Sequence, residues 1–384
     1  MDFEFTEEQR LLKDSVERLL KDRYDFEQRK AYMKEPHGFG RAPWKQYADL
    51  GLLGLPFDEA HGGSGGGPVE TMIVAEAFGR ALALEPYLAT VVLAGGLLRH
   101  GGSAAQQKAI LPKVADGSLL LAFAHTERQA RYDLADVATT AKRDGQGYVL
   151  DGQKSVVLSG DAADKLIVSA RVSGNRRDRD GLALFIIDAG APGVTRRDYA
   201  TMDGLRAADV TLAAVKAGPD AVVGQAGAAL PLIERVADEA VAALAAEAVG
   251  AMAAMHELTV DYLRTRKQFG VPIGSFQVLQ HRAVDMFVAL EQARSMAMLA
   301  TMMTAEENAA ERRKAISAAK VQIGRSGRIV GQGAVQLHGG IGMTMEYKVG
   351  HYFKRVTAID TTFGDADHHL GLLAQSDGLV PPLK

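Results

Sequence analysis

The chain has 384 residues, enough for two or three packed units with a substantial core. Its composition, 47% apolar and 24% charged, is ordinary for a soluble globular protein, and a formal net charge of -3 gives no electrostatic reason to expect nucleic acid. Cysteine is absent, which excludes disulfides, thiolate metal sites and a cysteine nucleophile.

The chain starts Met1-Asp2-Phe3-Glu4-Phe5, acidic and without the basic, apolar character of a leader, so a cytoplasmic location is expected. Thr6-Glu7-Glu8-Gln9 has the form of a helix start, with Leu11, Leu12, Val16, Leu19 and Leu20 following at helical spacing. The glycine-rich run at 60–67 reads as a plain loop, because no Lys-Ser/Thr follows it and no strand pattern precedes it. Helical patterns continue to about residue 111.

From about residue 119 the period changes. Tyr148-Val149-Leu150-Asp151-Gly152 and the runs 165–171 and 181–188 are short and β-rich, with turn signals at Asp144-Gly145 and in the charged run 176–181. They predict an antiparallel sheet ending near Gly224. Beyond Pro231 the residues 236–264, 276–303 and 311–335 are each long enough for a bundle helix. The most apolar stretch, 236–255, carries Asp238, Glu239 and Glu247 and is no membrane span. Met286, Met296, Met298, Met302 and Met303 are expected to fill the bundle core. The expected organisation is an α-helical domain over 1–115, a β domain over 116–230 and a helical bundle over 231–384, an α+β protein.

Two segments carry binding chemistry. Arg266-Lys267-Gln268-Phe269-Gly270 is followed by Phe276-Gln277, and a later segment reads Gln336-Leu337-His338-Gly339-Gly340-Ile341-Gly342. An arginine fork matches a pyrophosphate, a phenylalanine ring stacks on a heterocycle, and glycines let backbone N–H groups approach anionic oxygen. Together they suit a dinucleotide.

With these motifs the chain resembles an acyl-CoA dehydrogenase along nearly its whole length. Phe5-Thr6-Glu7-Glu8-Gln9, Leu50-Gly51-Leu52-Leu53-Gly54-Leu55-Pro56, Thr126-Glu127, Gly152-Gln153-Lys154 and Asp203-Gly204-Leu205-Arg206 fall in the family's order. The resemblance implies an N-terminal α-helical domain, a middle β domain and a C-terminal four-helix bundle. It also implies FAD, a dimer or tetramer, desaturation of an acyl-CoA thioester, and electron transfer to an electron-transfer flavoprotein. No metal, nucleic acid or membrane is implied. In the family one subunit holds the flavin ring and its neighbour the ADP half of the same FAD.

The resemblance divides along that line. The groups used on the ADP half are present as Arg266, Gln268, Phe269, Gln277, Gln336, Gly339, Gly340 and Gly342. Around flavin and thioester, Thr126 remains, but the family's Gly-Ser pair becomes Arg131-Tyr132 and its Trp-x-Thr/Ser becomes Val156-Val157-Leu158. Ser159 could substitute there if the strand register shifts. The family's catalytic Glu-Gly-Thr becomes Phe363-Gly364-Asp365, and a phenylalanine takes no proton. The family's alternative base position falls on Ala240. Carboxylates near these places are Glu239, about 100° around the helix from Ala240, Glu247, about 10 Å along it, and Asp365. His368-His369 is expected to face solvent or a subunit contact; His125 falls at the expected flavin edge and reads equally well as a satisfied structural histidine. The pattern resembles the base-lacking small subunit of heteromeric, pimeloyl-CoA dehydrogenase-like enzymes, with a sister chain supplying base and flavin pocket. Such a partner implies a dicarboxylic thioester, for which Arg128 and Arg131 are the nearest cationic handles.

Overall fold

The structure, a computed structural model, describes residues 4–376; the opening Met1-Asp2-Phe3 read as acidic lies outside them. The chain is built from two compact units. One comprises residues 1–30, 68–83 and 241–384, the other 31–67 and 84–240.

In the first unit, α1 (Glu7–Arg23) starts where the sequence predicts. Thr6 Oγ1 accepts from the Gln9 N–H and Gln9 Oε1 accepts from the Thr6 N–H, a closed capping box. Helix α2 (Pro68–Ala81) crosses α3 (Leu230–Thr265) at two glycines. A Cβ on Gly79 would come within 1.9 Å of Glu247 O, and one on Gly250 within 1.9 Å of Glu76 O. Only glycine permits so close a crossing. Helices α4 (Gln277–Met303) and α5 (Ala309–His338) pack as a long pair, and α6 (Lys348–Thr361) and α7 (Ala366–Ser376) lie against α5. Of the five methionines expected in the core, Met286 is buried while the other four are only partly covered.

The second unit contains, among the described residues, one sheet of eight strands. These are β1 (Leu121–Ala124), β2 (Thr140–Asp144), β3 (Gly147–Leu158), β4 (Lys165–Arg171), β5 (Leu182–Asp188), β6 (Val194–Ala200), β7 (Arg206–Ala217) and β8 (Val222–Gly227). The order is β6-β7-β3-β2-β4-β5-β8, and β1 pairs with β4. The sheet is not purely antiparallel as expected: β1 runs parallel to β4, with Leu121 opposite Lys165. The reason is the connection, since β1 and β4 are separated by the whole β2–β3 hairpin rather than by a tight turn. Leu150, Val168, Phe185, Val210 and Val215 form the centre of its core.

Candidate functional site

The first motif follows the C-terminus of α3. Lys267–Gln268 and Val271–Pro272 pair as a two-residue ladder whose loop is Phe269-Gly270. Both loop residues have positive φ, 54° and 83°, which is the geometry of a type I′ hairpin. Glycine is at home there; phenylalanine is not. Phe269 is 92% exposed, and its ring lies edge-on to that of Phe276, at 6.2 Å between centroids. Arg266, Gln268 and Gln277 are exposed beside it. In the second motif, α5 ends at His338, which lies between Tyr262 and Tyr347. Gly339 and Gly340 follow with open space where a side chain would be, and Gln336 is exposed. Gly342 is buried, and a Cβ there would sit 3.0 Å from Val335 O.

In the sheet unit, Thr126 is exposed, and its carbonyl accepts from Ser155 N at 2.8 Å. Beneath it lies a buried network that the sequence reading missed. Lys154 Nζ donates to Glu127 Oε1 at 2.7 Å, to Ser169 Oγ at 3.1 Å and to His125 O at 3.2 Å. Glu127 also accepts from Thr139 Oγ1, the N–H groups of Ala138 and Thr139, and Gln129 Nε2. Burial alone would raise the Glu127 carboxyl, but the Lys154 charge and these hydrogen bonds hold it below the usual range. Burial pushes the His125 imidazole down to about 3, so it stands neutral, with Nδ1 at 2.8 Å from Ser169 Oγ. His125 is thus a buried, satisfied member of this network, the second of its two readings, and not a group on an open edge. The available signal was the opposite charge of Glu127 and Lys154 on segments joined through adjacent strands.

Strand β3 shifts register by one residue between Lys154 and Val157, opposite β7. The extra residue is Val156, with φ 52° and a side chain 49% exposed. Ser159 follows with φ 53°, half-buried, its N–H bonded to Arg206 O. Arg131, where the resemblance places a family glycine, keeps a glycine-like φ of 50°. Arg131, Val156 and Ser159 thus all hold a left-handed backbone.

The segment joining α6 to α7 in the helical unit is built the same way. Phe363 has φ 58° and Gly364 φ 110°. The Phe363 ring packs on Val241, Ala242, Ala300, Ile316 and Ala319. Its carbonyl accepts from His369 Nε2 at 3.0 Å, and His369 Nδ1 meets Ser317 Oγ at 3.1 Å. His369 is therefore buried rather than facing solvent or a subunit, because the chain turns sharply at Gly364 and folds the ring back onto α5.

Comparison with known proteins decides the family. Domain profiles described as acyl-CoA dehydrogenase N-terminal, middle and C-terminal domains match residues 6–118, 122–215 and 231–376. Acyl-CoA dehydrogenase FadE12 of Mycobacterium tuberculosis is 33% identical over 80% of each chain. The chain belongs to the acyl-CoA dehydrogenase family. A variant of the Tcur3481–Tcur3483 steroid ACAD superposes with a TM-score of 0.87 at 31% identity, covering 97% of this chain and 98% of that one. The ChsE4–ChsE5 complex of M. tuberculosis does so with a TM-score of 0.88 at 27% identity over the full length of both chains.

The protein is thus an acyl-CoA dehydrogenase family oxidoreductase with FAD as its cofactor. The ADP-half residues fit that group: an uncovered aromatic ring, an exposed arginine and two glycines with open space lie in the two motifs. The three carboxylates near the base positions are each engaged. Glu247 makes a two-pronged pair with Arg355, at 2.5 and 2.8 Å. Glu239 is held by Arg99 and His100, both at 2.7 Å. Burial would raise its pKa, yet the His100 hydrogen bond and the charges of Arg99, His100 and Arg235 keep it below the usual carboxylate range. Asp365 Oδ1 accepts from the His368 N–H and so caps α7. Ala240 is fully buried. Among the described residues no group of three side chains could hold a metal ion, and no helix is long and apolar enough to cross a membrane.

Proposed function

We propose that this chain is the base-lacking subunit of a heteromeric acyl-CoA dehydrogenase. One observation carries the reading: the family's base position holds Phe363, packed on an apolar cluster, while Arg266, Phe269, Gly339 and Gly340 of the ADP-half motifs stand exposed. A sister subunit would supply the base and the pocket for the flavin ring. FAD held here would supply a hydride acceptor for the acyl-CoA β-carbon, and the sister's carboxylate would take the α-proton. This chain's own residues bind and orient. Arg266 would hold the pyrophosphate, Phe269 would stack on the adenine, and Gln268, Gln277 and Gln336 would offer amide groups. Gly339, Gly340 and Gly342 would let main chain approach the phosphates. Thr126 and Ser159 are the groups left on the flavin side.

Heteromeric assemblies among its structural relatives, ChsE4–ChsE5 and Tcur3481–Tcur3483, support such a partner. Engagement of Glu239, Glu247 and Asp365 in pairing and capping weighs against an autonomous enzyme with a relocated base. The substrate reading is an acyl-CoA of medium, dicarboxylic chain, with Arg128 and Arg131 exposed as handles and an electron-transfer flavoprotein as acceptor. Arg128 is shared with Asp209, 3.8 Å away.

Flavin content and acyl-CoA desaturation of the purified chain test the proposal. We expect low flavin and no turnover alone, with both restored by the sister subunit. Normal turnover by the chain alone overturns it.

A further inference from the structure

The sheet unit holds an open groove of about 620 Å³ between the helix Ala104–Ala115 and one end of β4, β5 and β8. Small-molecule sites fall in the same size range, roughly 300–1,000 Å³. The groove follows from residue size. The helix buries Ile110, Leu111 and Val114, while its exposed flank carries only the methyl groups of Ala105 and Ala109. Leu119, Ile186 and Val222, each half-buried, line what these short side chains leave open. The result is a concave apolar strip in contact with water.

The two ends of the strip differ in charge. At one end Gln106 Nε2 donates to Asp220 O at 2.8 Å and to Val222 O at 2.9 Å, tying the helix to the start of β8. Asp220 is the one acid among the described lining residues. At the other end Leu119 N donates to Lys113 O at 3.0 Å and Lys165 N to Leu120 O at 3.3 Å, so the two lysines come together. Lys165 is paired with Asp188. Lys113 is exposed and makes no ion pair among the described residues. Seven helical residues separate Gln106 from Lys113, a run of about 10 Å.

An apolar strip with an uncompensated ammonium at one end and an acid at the other is complementary to an amphiphile with a single anionic head. We infer that the groove binds a medium-chain monocarboxylate, its head on Lys113 and its alkyl tail along Ala109, Ile110 and Ile186 toward Gln106. Asp220 repels a second carboxylate at the far end, so the site selects against dicarboxylates. The groove lies wholly within the sheet unit, and its occupancy does not depend on which subunit supplies the catalytic base.

The test is calorimetric titration of the purified full chain with octanoate, beside octan-1-ol, octylammonium and octanedioate. Octanoate should bind more tightly than the other three, and each methylene added to it should tighten binding by about 2–4-fold. Reversing the charge with K113E should weaken octanoate by about 10-fold, while K113R retains it. A109F, which fills the strip and leaves the ammonium in place, should weaken octanoate and decanoate alike. Lys113 and Ala109 are both exposed, so these variants keep the core intact. No octanoate binding by the parent chain overturns the inference. Unchanged binding by K113E and A109F places octanoate elsewhere on the chain and also overturns it. Equal or tighter binding of octan-1-ol removes the role of Lys113, and preference for octylammonium puts the head on Asp220; either result is equally fatal.

Discussion

Two phenylalanines share a backbone conformation and almost nothing else. Phe269 and Phe363 have φ of 54° and 58°. Phe363 offsets its strain internally, by packing on five buried side chains and by the bond from His369 to its carbonyl. Phe269 has no such return: its ring is 92% exposed at the tip of a two-strand hairpin. Backbone strain of this kind clusters at ligand clamps and functional sites. The difference separates a ring left open at a hairpin tip from one absorbed into a packed cluster.

The sheet unit repeats the contrast between presented and framing residues and breaks it most strongly. Thr126 is exposed, whereas Lys154 below it is fully buried against Glu127. Lys154→Met leaves a buried carboxylate without its counter-charge, and we expect a loss of about 3–5 kcal/mol in denaturant unfolding. Thr126→Ala should stay within about 0.5 kcal/mol of the parent. Comparable losses for both would show that Thr126 belongs to the frame.

Acid sharpens the same line, because each frame contains a buried neutral histidine. Burial, chiefly, holds both His125 and His369 down to about 3 from 6.5. Between those values the unfolded chain binds a proton that the folded chain refuses. Stability is therefore full above about pH 6.5 and falls as pH drops, by about 2 kcal/mol per histidine at pH 5. Glu127 loses its contribution only at lower pH, since its depressed pKa of about 2 lies below the unfolded carboxylate value. Unfolding curves at pH 7 and 5 for His125→Asn and His369→Asn should each show a shallower slope than the parent. An unchanged slope would place the acid sensitivity elsewhere.

Much of this was legible in sequence, and the reasons differ by region. Hydrophobic period and capping marked α1, α3, α4 and α5, because those helices carry their signals locally. The parallel pairing of β1 with β4 was not local and went unread. Phe363 stood out by residue type alone. The polar frames did not, because Lys320 and Asp360 are 40 residues apart and meet only through the packing of α5 against α6. His369 misled for the same reason: the turn at Gly364, which folds it inward against Ser317, joins residues 52 apart.

The smallest expected effect is the most discriminating. Glycine relaxes a left-handed backbone, so replacing either phenylalanine by glycine relieves about 1 kcal/mol of strain. At position 269 nothing packed is lost, and Phe269→Gly should hold or raise stability by up to about 1 kcal/mol while weakening ADP binding, measured by calorimetry. At position 363 the ring's contacts with Val241, Ala300 and Ile316 go as well. Lost burial of a half-covered phenyl exceeds the relief, so Phe363→Gly should lower stability by about 1–2 kcal/mol and leave ADP binding unchanged. Opposite signs in stability would locate the compensation for Phe269 outside the fold. A loss at both positions would mean that the hairpin ring already contributes to folding, and that its exposure is not evidence of a waiting ligand.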